Sequence, residues 1–207
     1  MIEYTTIEAP CEGSITEKRS EFIAQLFPAE TAEACVQIIE AVKAKHHKAR
    51  HNVWAYRLRA GGVTRYSDDG EPQGTGGIPV LNVLQKSELE DVCCVVTRYF
   101  GGVLLGAPGL TRAYSASAAE AVKSAKLLHF CEAYRIRYVI DYTNYGKVSY
   151  LLPEFETVDA GSDFGEKVTL LFDIKTALYP ALEAKLTEAF NGRPDLEQLE
   201  THFVSFS

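Results

Sequence analysis

The sequence predicts an α+β protein of two domains, and three observations carry that reading. Stretches with strand patterning and stretches with helix patterning occur in both parts of the chain. The charge is unevenly divided: residues 1–130 hold 14 Lys+Arg against 15 Asp+Glu, net −1, while residues 131–207 hold 7 against 13, net −6. The last ~75 residues, moreover, run βαββαβ, the ferredoxin-like order. At 207 residues the chain is long enough for two small domains, each with its own core. The boundary falls between domains 1–132 and 133–207, with no long linker.

Each element has its own signal. "SEFIAQLFPA" reads as an early strand ended by Pro28. Thr31 then offers an N-cap, and Cys35, Ile38, Ile39 and Val42 recur at helical spacing over 32–46. Strands are predicted at 53–59 and 63–67 around a Gly61-Gly62 turn. Pro79 starts a short helix with Val80, Leu81 and Leu84 on its apolar face. "DVCCVVTRYF" is nearly all apolar, as a strand buried on both faces would be. "GGVLLGAPGL" breaks it, and "TRAYSASAAEAVKSAK" is a helix whose small surface suits close packing. In the second domain, "AYRIRYVIDY" is a strand, and Thr143 or Asn144 caps a helix stopped by Pro153. "FETVDAG" and "GEKVTLLFDI" form a hairpin. Thr176 caps a helix with Leu178, Leu182, Leu186 and Ala189 on one face, closed by Asn191-Gly192. "LEQLETHFVSF" is the last strand.

The stretch "YSDDGEPQGTGGIPV" sets Asp68, Asp69 and Glu71 among Gly74, Thr75 and Gly76. Asp-Gly and Glu-Pro are strong turn formers, so one reading is an Asx-type turn whose carboxylates cap backbone amides. A second is an anion-binding loop. A third, a metal or acid/base site, lacks a local His and the ordered spacing of a calcium loop. A second glycine-rich stretch, "RYFGGVLLGAPGLTRAY", carries Gly101, Gly102 and Gly106 between Arg98 and Arg112. Where a buried strand runs into a helix, free N–H groups and the positive helix end suit an anion, with the two arginines as counter-charge. It matches neither common phosphate-loop motif, and close helix–sheet packing explains its glycines equally well.

A basic stripe stands out from this acidic background. Residues 41–67 hold seven Lys/Arg, three His and no acid, in a chain whose net charge is −7. The five cysteines contain no CxxC, and alternation sends Cys93 and Cys94 to opposite faces. They read as small apolar fillers in a reducing compartment. The opening residues lack the basic and apolar segments of a signal peptide, and no apolar run has the length of a membrane span. The expected location is cytoplasmic.

The two glycine-rich motifs together, "SDDGEPQGTGGIPVLNVL" and "VVTRYFGGVLLGAPGLTRAY", resemble the signature of the Impact/YigZ family. "KRSEFIA" and "ARHNVWAY" fit at the expected places, so the resemblance covers about residues 15–125. It implies a two-layer α/β N-terminal domain like those of a small-subunit ribosomal protein and elongation factor G. The tail is similar to the last domain of elongation factor G. Eukaryotic relatives regulate translation under amino-acid starvation by binding a partner of a kinase; they carry a different accessory domain, so that activity does not transfer to this chain. For bacterial members the resemblance implies nucleic-acid or ribosome binding. Ile78 stands where many relatives have a basic residue, and Pro108, where many have glycine, removes an N–H donor.

Three function classes follow. The first is a non-enzymatic RNA- or ribosome-associated protein, active in translation under stress. Lys45, Lys48, Arg50, Arg57 and Arg59 would contact phosphates, with Trp54 or Tyr56 stacking on bases unless Trp54 is core. Strand alternation, however, puts those aromatics on the face opposite Arg57 and Arg59. The second is a protein-interaction regulator acting through the acidic C-terminal domain. The third is a hydrolase using Asp68, Asp69 and Glu71 with His46, His47 or His51. The first leads. No cofactor, metal or membrane partner is expected. The ligand pocket would be formed by the two glycine-rich loops meeting, with Asp68 and Glu71 bonded to backbone amides and to Arg98.

Overall fold

The computed structural model describes residues 3–192 and 194–206. The chain separates into two units, one spanning Tyr4–Leu128 and the other beginning at His129. In the first, strands β2 (Cys11–Glu17), β3 (Ser20–Pro28), β4 (His51–Leu58), β5 (Val63–Ser67) and β6 (Val92–Tyr99) form one sheet. Its order is β2-β3-β6-β4-β5, and every neighbouring pair is antiparallel. Strand β1 (Glu3–Ile7) stays outside it, and Thr5 bridges to Leu89.

Helices cover both faces. Helix α2 (Gly77–Lys86) and helix α3 (Gly106–Ser124) pack Leu84, Tyr114 and Ala118 against Phe22, Leu26, Val53, Cys94 and Val96. Helix α1 (Ala32–Lys45) sets Cys35, Ile39 and Val42 against Tyr56, Leu58, Cys93 and Val95 on the opposite face. Cover on both faces explains the unbroken apolar run of β6. Cys93 and Cys94 diverge as alternation requires, and burial pushes the Cys94 thiol up to about 12, so it stays an inert filler. Thr31 caps α1, its hydroxyl accepting from the Ala34 N–H at 3.1 Å.

In the second unit, β7 (Leu127–Ile140), β8 (Val158–Phe164), β9 (Val168–Lys175) and β10 (Leu196–Ser205) pair antiparallel in the order β10-β7-β9-β8. That is the strand order of the ferredoxin-like fold. Helices α4 (Tyr142–Leu151) and α5 (Tyr179–Phe190) bring Val148, Leu182 and Leu186 onto Ile136, Phe172 and Ile174.

Several boundaries differ from the predicted ones. Strands β1 and β2 were not anticipated. Helix α4 follows Asp141, which makes no side-chain cap bond, rather than Thr143 or Asn144. Helix α5 starts at Tyr179 with Pro180 in its first turn, because the Thr176 N–H is committed to the Glu132 carbonyl. Helix α3 starts at Gly106, inside the stretch read as a breaker. Pro108 is tolerated there because the first turn leaves its N–H groups unbonded.

Candidate functional site

The first glycine-rich loop is built around its own carboxylates. Asp68 Oδ2 accepts from the Gly74 N–H at 2.8 Å, and Oδ1 accepts from the Gly76 and Gly77 N–H groups at 2.9 Å each. Gly76 is the N-cap of α2 and has no side chain, so Asp68 caps that helix from eight residues away. Asp69 takes the Asn52 N–H at 2.7 Å and faces the Lys43 ammonium at 3.2 Å, and its carbonyl oxygen is 2.7 Å from His51 Nδ1. The Thr75 hydroxyl donates to the Pro72 carbonyl at 2.7 Å.

Glu71 points the other way, inward. Its side chain is 3% exposed, and Oε1 accepts from Arg98 Nη1 at 2.6 Å and from the Tyr114 hydroxyl at 2.8 Å. A buried ion pair of this kind repays its desolvation only when further hydrogen bonds complete it, and Tyr114 supplies one. Burial, with the Glu71 carboxylate beside it, holds the Tyr114 phenol well above the ordinary tyrosine range, so it stays a donor. The Arg98 guanidinium lies 5.4 Å and 5.6 Å from the ring centres of Phe22 and Phe100. Its Nε is buried and has no hydrogen-bond partner.

The second loop crosses the same end of the sheet. The Gly101 N–H donates to Ser20 Oγ at 3.1 Å, and Gly102 and Gly106 have φ of +85° and +71°. The two loops bound a cleft of about 350 Å³. Gly70, Glu71 and Pro72 form one side, and Leu104 to Ala107 form the other. Arg98 lies at the floor, with Arg50, His51, Phe100 and Leu110 completing the lining. Of the residues predicted for a pocket, Glu71, Arg98 and Gly106 line this cleft. Asp68, Asp69, Gly74, Thr75 and Gly76 build the loop behind it, and Gly101 and Gly102 shape the other loop. Arg112 must be corrected: it is exposed on α3 and does not line the cleft.

The basic stripe divides in two. Lys45, Lys48 and Arg50 are exposed, with no ion pair among the described residues. Arg57 instead pairs with Glu90 and donates to the Leu84 carbonyl, and Arg59 pairs with Asp91 at 3.4 Å. Both were predicted as phosphate contacts, and acids from the Glu90-Asp91 turn already neutralise them. Trp54 and Tyr56 stack on each other, centroids 5.7 Å apart, and pack on the α1 face.

Sequence reasoning missed Tyr114 and the apolar Phe100 and Leu104, as well as two cations. The β2–β3 turn carries exposed Lys18 and Arg19, and the Arg19 backbone lies directly against Gly101. The motif "KRSEFIA" held the signal for those cations. Of the histidines proposed for hydrolysis, His46 bonds the Tyr99 hydroxyl at 3.0 Å, and His47 is exposed. His51 lies in the cleft, its Nε2 3.9 Å from Glu71. The cleft lining contains no Ser, Thr or Cys. Among the described residues no group of three His, Cys, Asp or Glu is placed to hold a metal ion.

Fold and cleft together define a two-unit α+β protein with a ferredoxin-like second unit and a glycine-framed cleft in the first. The chain belongs to the IMPACT family: the Impact N-terminal domain matches residues 18–122, and a domain of unknown function, DUF1949, matches residues 139–193. It is 34% identical over 203 residues to IMPACT family member YvyE of Bacillus subtilis (strain 168), covering 97% of this chain and 93% of that one. It is 31% identical over 186 residues to IMPACT family member YigZ of Escherichia coli (strain K12), covering 88% and 91%. A crystal structure of a hypothetical protein aligns with TM-score 0.62 and 30% identity, covering 97% of this chain and 98% of that one. Among the described residues no helix is long and apolar enough to cross a membrane.

Proposed function

We propose that this chain is a non-enzymatic, cytoplasmic RNA- or ribosome-associated protein that regulates translation, including under stress. One observation carries the reading: Lys45, Lys48 and Arg50 are exposed and have no acidic partner among the described residues, in a chain of net charge −7. The Arg50 N–H donates to the Arg98 carbonyl at 2.9 Å, which anchors this segment at the end of β6. Lys18 and Arg19 approach the same end from the other side of β6. Strands β3 and β4 flank β6, so the two basic segments are about 10 Å apart, a span suited to following a nucleic-acid backbone. Asp68 is bonded to backbone amides, Asp69 to the Asn52 N–H and Lys43, and Glu71 to Arg98 and Tyr114, which favours a structural role for these carboxylates over hydrolysis.

Contacts of this kind are to phosphates, so affinity depends on salt rather than on base sequence. Three contacts to a single strand give a slope of log K against log[salt] of about −2. Fluorescence anisotropy with a labelled single-stranded RNA between about 50 and 200 mM salt measures it. Replacing Lys48 and Arg50 with Ala flattens the slope by about 1.4. Absence of salt-sensitive binding to RNA and to ribosomal subunits would favour a second reading, a protein-interaction regulator. The acidic second unit supports that alternative: its Arg135, Arg137 and Lys175 are paired to acids, leaving negative charge in excess.

A further inference from the structure

One end of the first unit's sheet carries two cationic tips with an apolar loop between them. Strands β3 and β4 both run antiparallel to β6, so both begin where β6 ends. Lys18 and Arg19 immediately precede β3, and Lys48 and Arg50 precede β4. All four are exposed, with no acidic partner among the described residues. The loop that follows β6 lies between these tips. On one side its Gly101 is pressed against the Arg19 backbone, and on the other its Leu104 lines the cleft together with Arg50. Phe100, Val103 and Leu104 are exposed on this loop, Leu104 by 83%, which is a large apolar tip for a water-facing surface.

The β2–β3 turn is built against its own local preference. Glu17 pairs with Ser20, so Lys18 and Arg19 form the two-residue loop of a hairpin, with φ of +43° and +65°. A turn with two left-handed residues is ordinarily Asn-Gly, because other side chains are strained there. Two adjacent cations in that conformation are not what the fold itself prefers. Strain of this kind clusters where a residue's identity serves a function. The turn is also held in place: Ser20 Oγ accepts the Gly101 N–H at 3.1 Å, tying the cationic tip to the apolar loop beside it.

We infer that this end of the first unit grips double-helical RNA across a groove, an inference that rests on the RNA reading above and narrows it. Lys48 and Arg50 meet phosphates of one strand, Lys18 and Arg19 meet those of the other, and Leu104 sits over the groove between. Two backbones held side by side occupy both tips at once. A single strand that reached both would have to double back over the exposed apolar loop. A-form RNA offers a wide, shallow minor groove that admits such a loop, whereas the minor groove of B-DNA is only about 6 Å wide. The cations contact phosphates and Leu104 has no hydrogen-bonding group, so the duplex is recognised by its shape rather than its sequence.

The test compares the full chain's affinity, by fluorescence anisotropy, for three labelled probes: an RNA duplex of about 16 base pairs, one of its strands alone, and the DNA duplex of the same sequence. The RNA duplex is expected to bind at least about tenfold more tightly than either of the others. Lys18→Asn combined with Arg19→Gly supplies the residues that the turn prefers. It should raise the thermal midpoint by several degrees, yet flatten the duplex salt slope by about 1.8, two contacts at about 0.9 each, and the single-strand slope by less. Leu104→Ser should weaken the RNA duplex severalfold at an unchanged slope, because an apolar contact releases no counter-ions. Equal affinity for the RNA duplex and its single strand, or for the RNA and DNA duplexes, overturns the inference and leaves the RNA reading standing. A Lys18→Asn/Arg19→Gly protein that keeps the wild-type duplex slope does the same. Absence of salt-sensitive binding to all three probes sinks the RNA reading itself, and this inference with it.

Discussion

Glu71 places one carboxylate oxygen between two buried donors, and the consequences of changing either partner differ in size. Glu71→Gln leaves the Arg98 guanidinium buried without its counter-ion, a change of about 3–5 kcal/mol in unfolding free energy. Tyr114→Phe removes one neutral donor and costs about 1 kcal/mol, and urea unfolding measures both. The inequality is the test: equal costs would mean that Arg98 is not held by charge. His46 predicts a pH effect. Burial, with Lys45 beside it, lowers its pKa below the ordinary value of 6.5. The unfolded chain therefore takes up a proton more readily than the folded one as pH falls below 6.5, so stability declines in that window. His46→Asn should reduce that decline in urea midpoints measured between about pH 7 and 5.5. Asp68 was legible in the sequence because Asx turns are local, and its three N–H partners lie within nine residues. Tyr114 was not. It meets Glu71 across 43 residues, and on a helix a tyrosine among alanines reads as core.

At the level of elements, long apolar segments announce themselves and thin polar ones do not. β6 and α1 stood out by pattern, whereas β2 reads "CEGSITE", with no side chain fully buried and its inner positions only half-covered. It is a strand because β3 pairs with it from Cys11↔Leu26 to Glu17↔Ser20, a tertiary cause that local sequence does not carry. The start of α3 was hidden for the opposite reason: Gly106, Pro108 and Gly109 are breakers inside a helix but acceptable in its first turn. The cleft loop gives a sharp prediction from two adjacent glycines. A Cβ at Gly101 would lie 2.0 Å from the Arg19 carbonyl carbon, backbone against backbone, while one at Gly102 meets nothing within 4 Å. Gly102→Ala therefore costs only the strain of φ +85°, about 1–2 kcal/mol. Gly101→Ala must push the β2–β3 turn off the loop, and more than about 4 kcal/mol or loss of the folded cleft is expected. Thermal unfolding of the two single variants distinguishes them. A Gly101→Ala protein as stable as Gly102→Ala would show that the loop and the turn are not in contact.

Across the whole molecule, core and charge are divided along the same line. The two clusters of the first unit involve residues up to Ala125, and the cluster of the second begins at Tyr134. A chain ending at residue 128 should therefore unfold cooperatively in urea by itself. It also sheds most of the negative charge, since residues 129–207 carry 7 Lys+Arg against 13 Asp+Glu, net −6 of the total −7. If Lys45, Lys48 and Arg50 contact RNA phosphates, removing that acidic unit weakens the long-range repulsion and raises affinity at low salt. The gain should shrink as salt rises, because screening shortens the reach of charge from about 10 Å at 0.1 M to about 3 Å at 1 M. The salt slope set by the local contacts should stay near −2, since those cations are retained. Anisotropy of the truncated and full chains against one single-stranded RNA at matched salt decides it. An unchanged affinity at low salt would mean that the acidic unit exerts no field on the bound strand. A lost affinity would transfer the binding site to the second unit and leave the basic segment of the first without its proposed role.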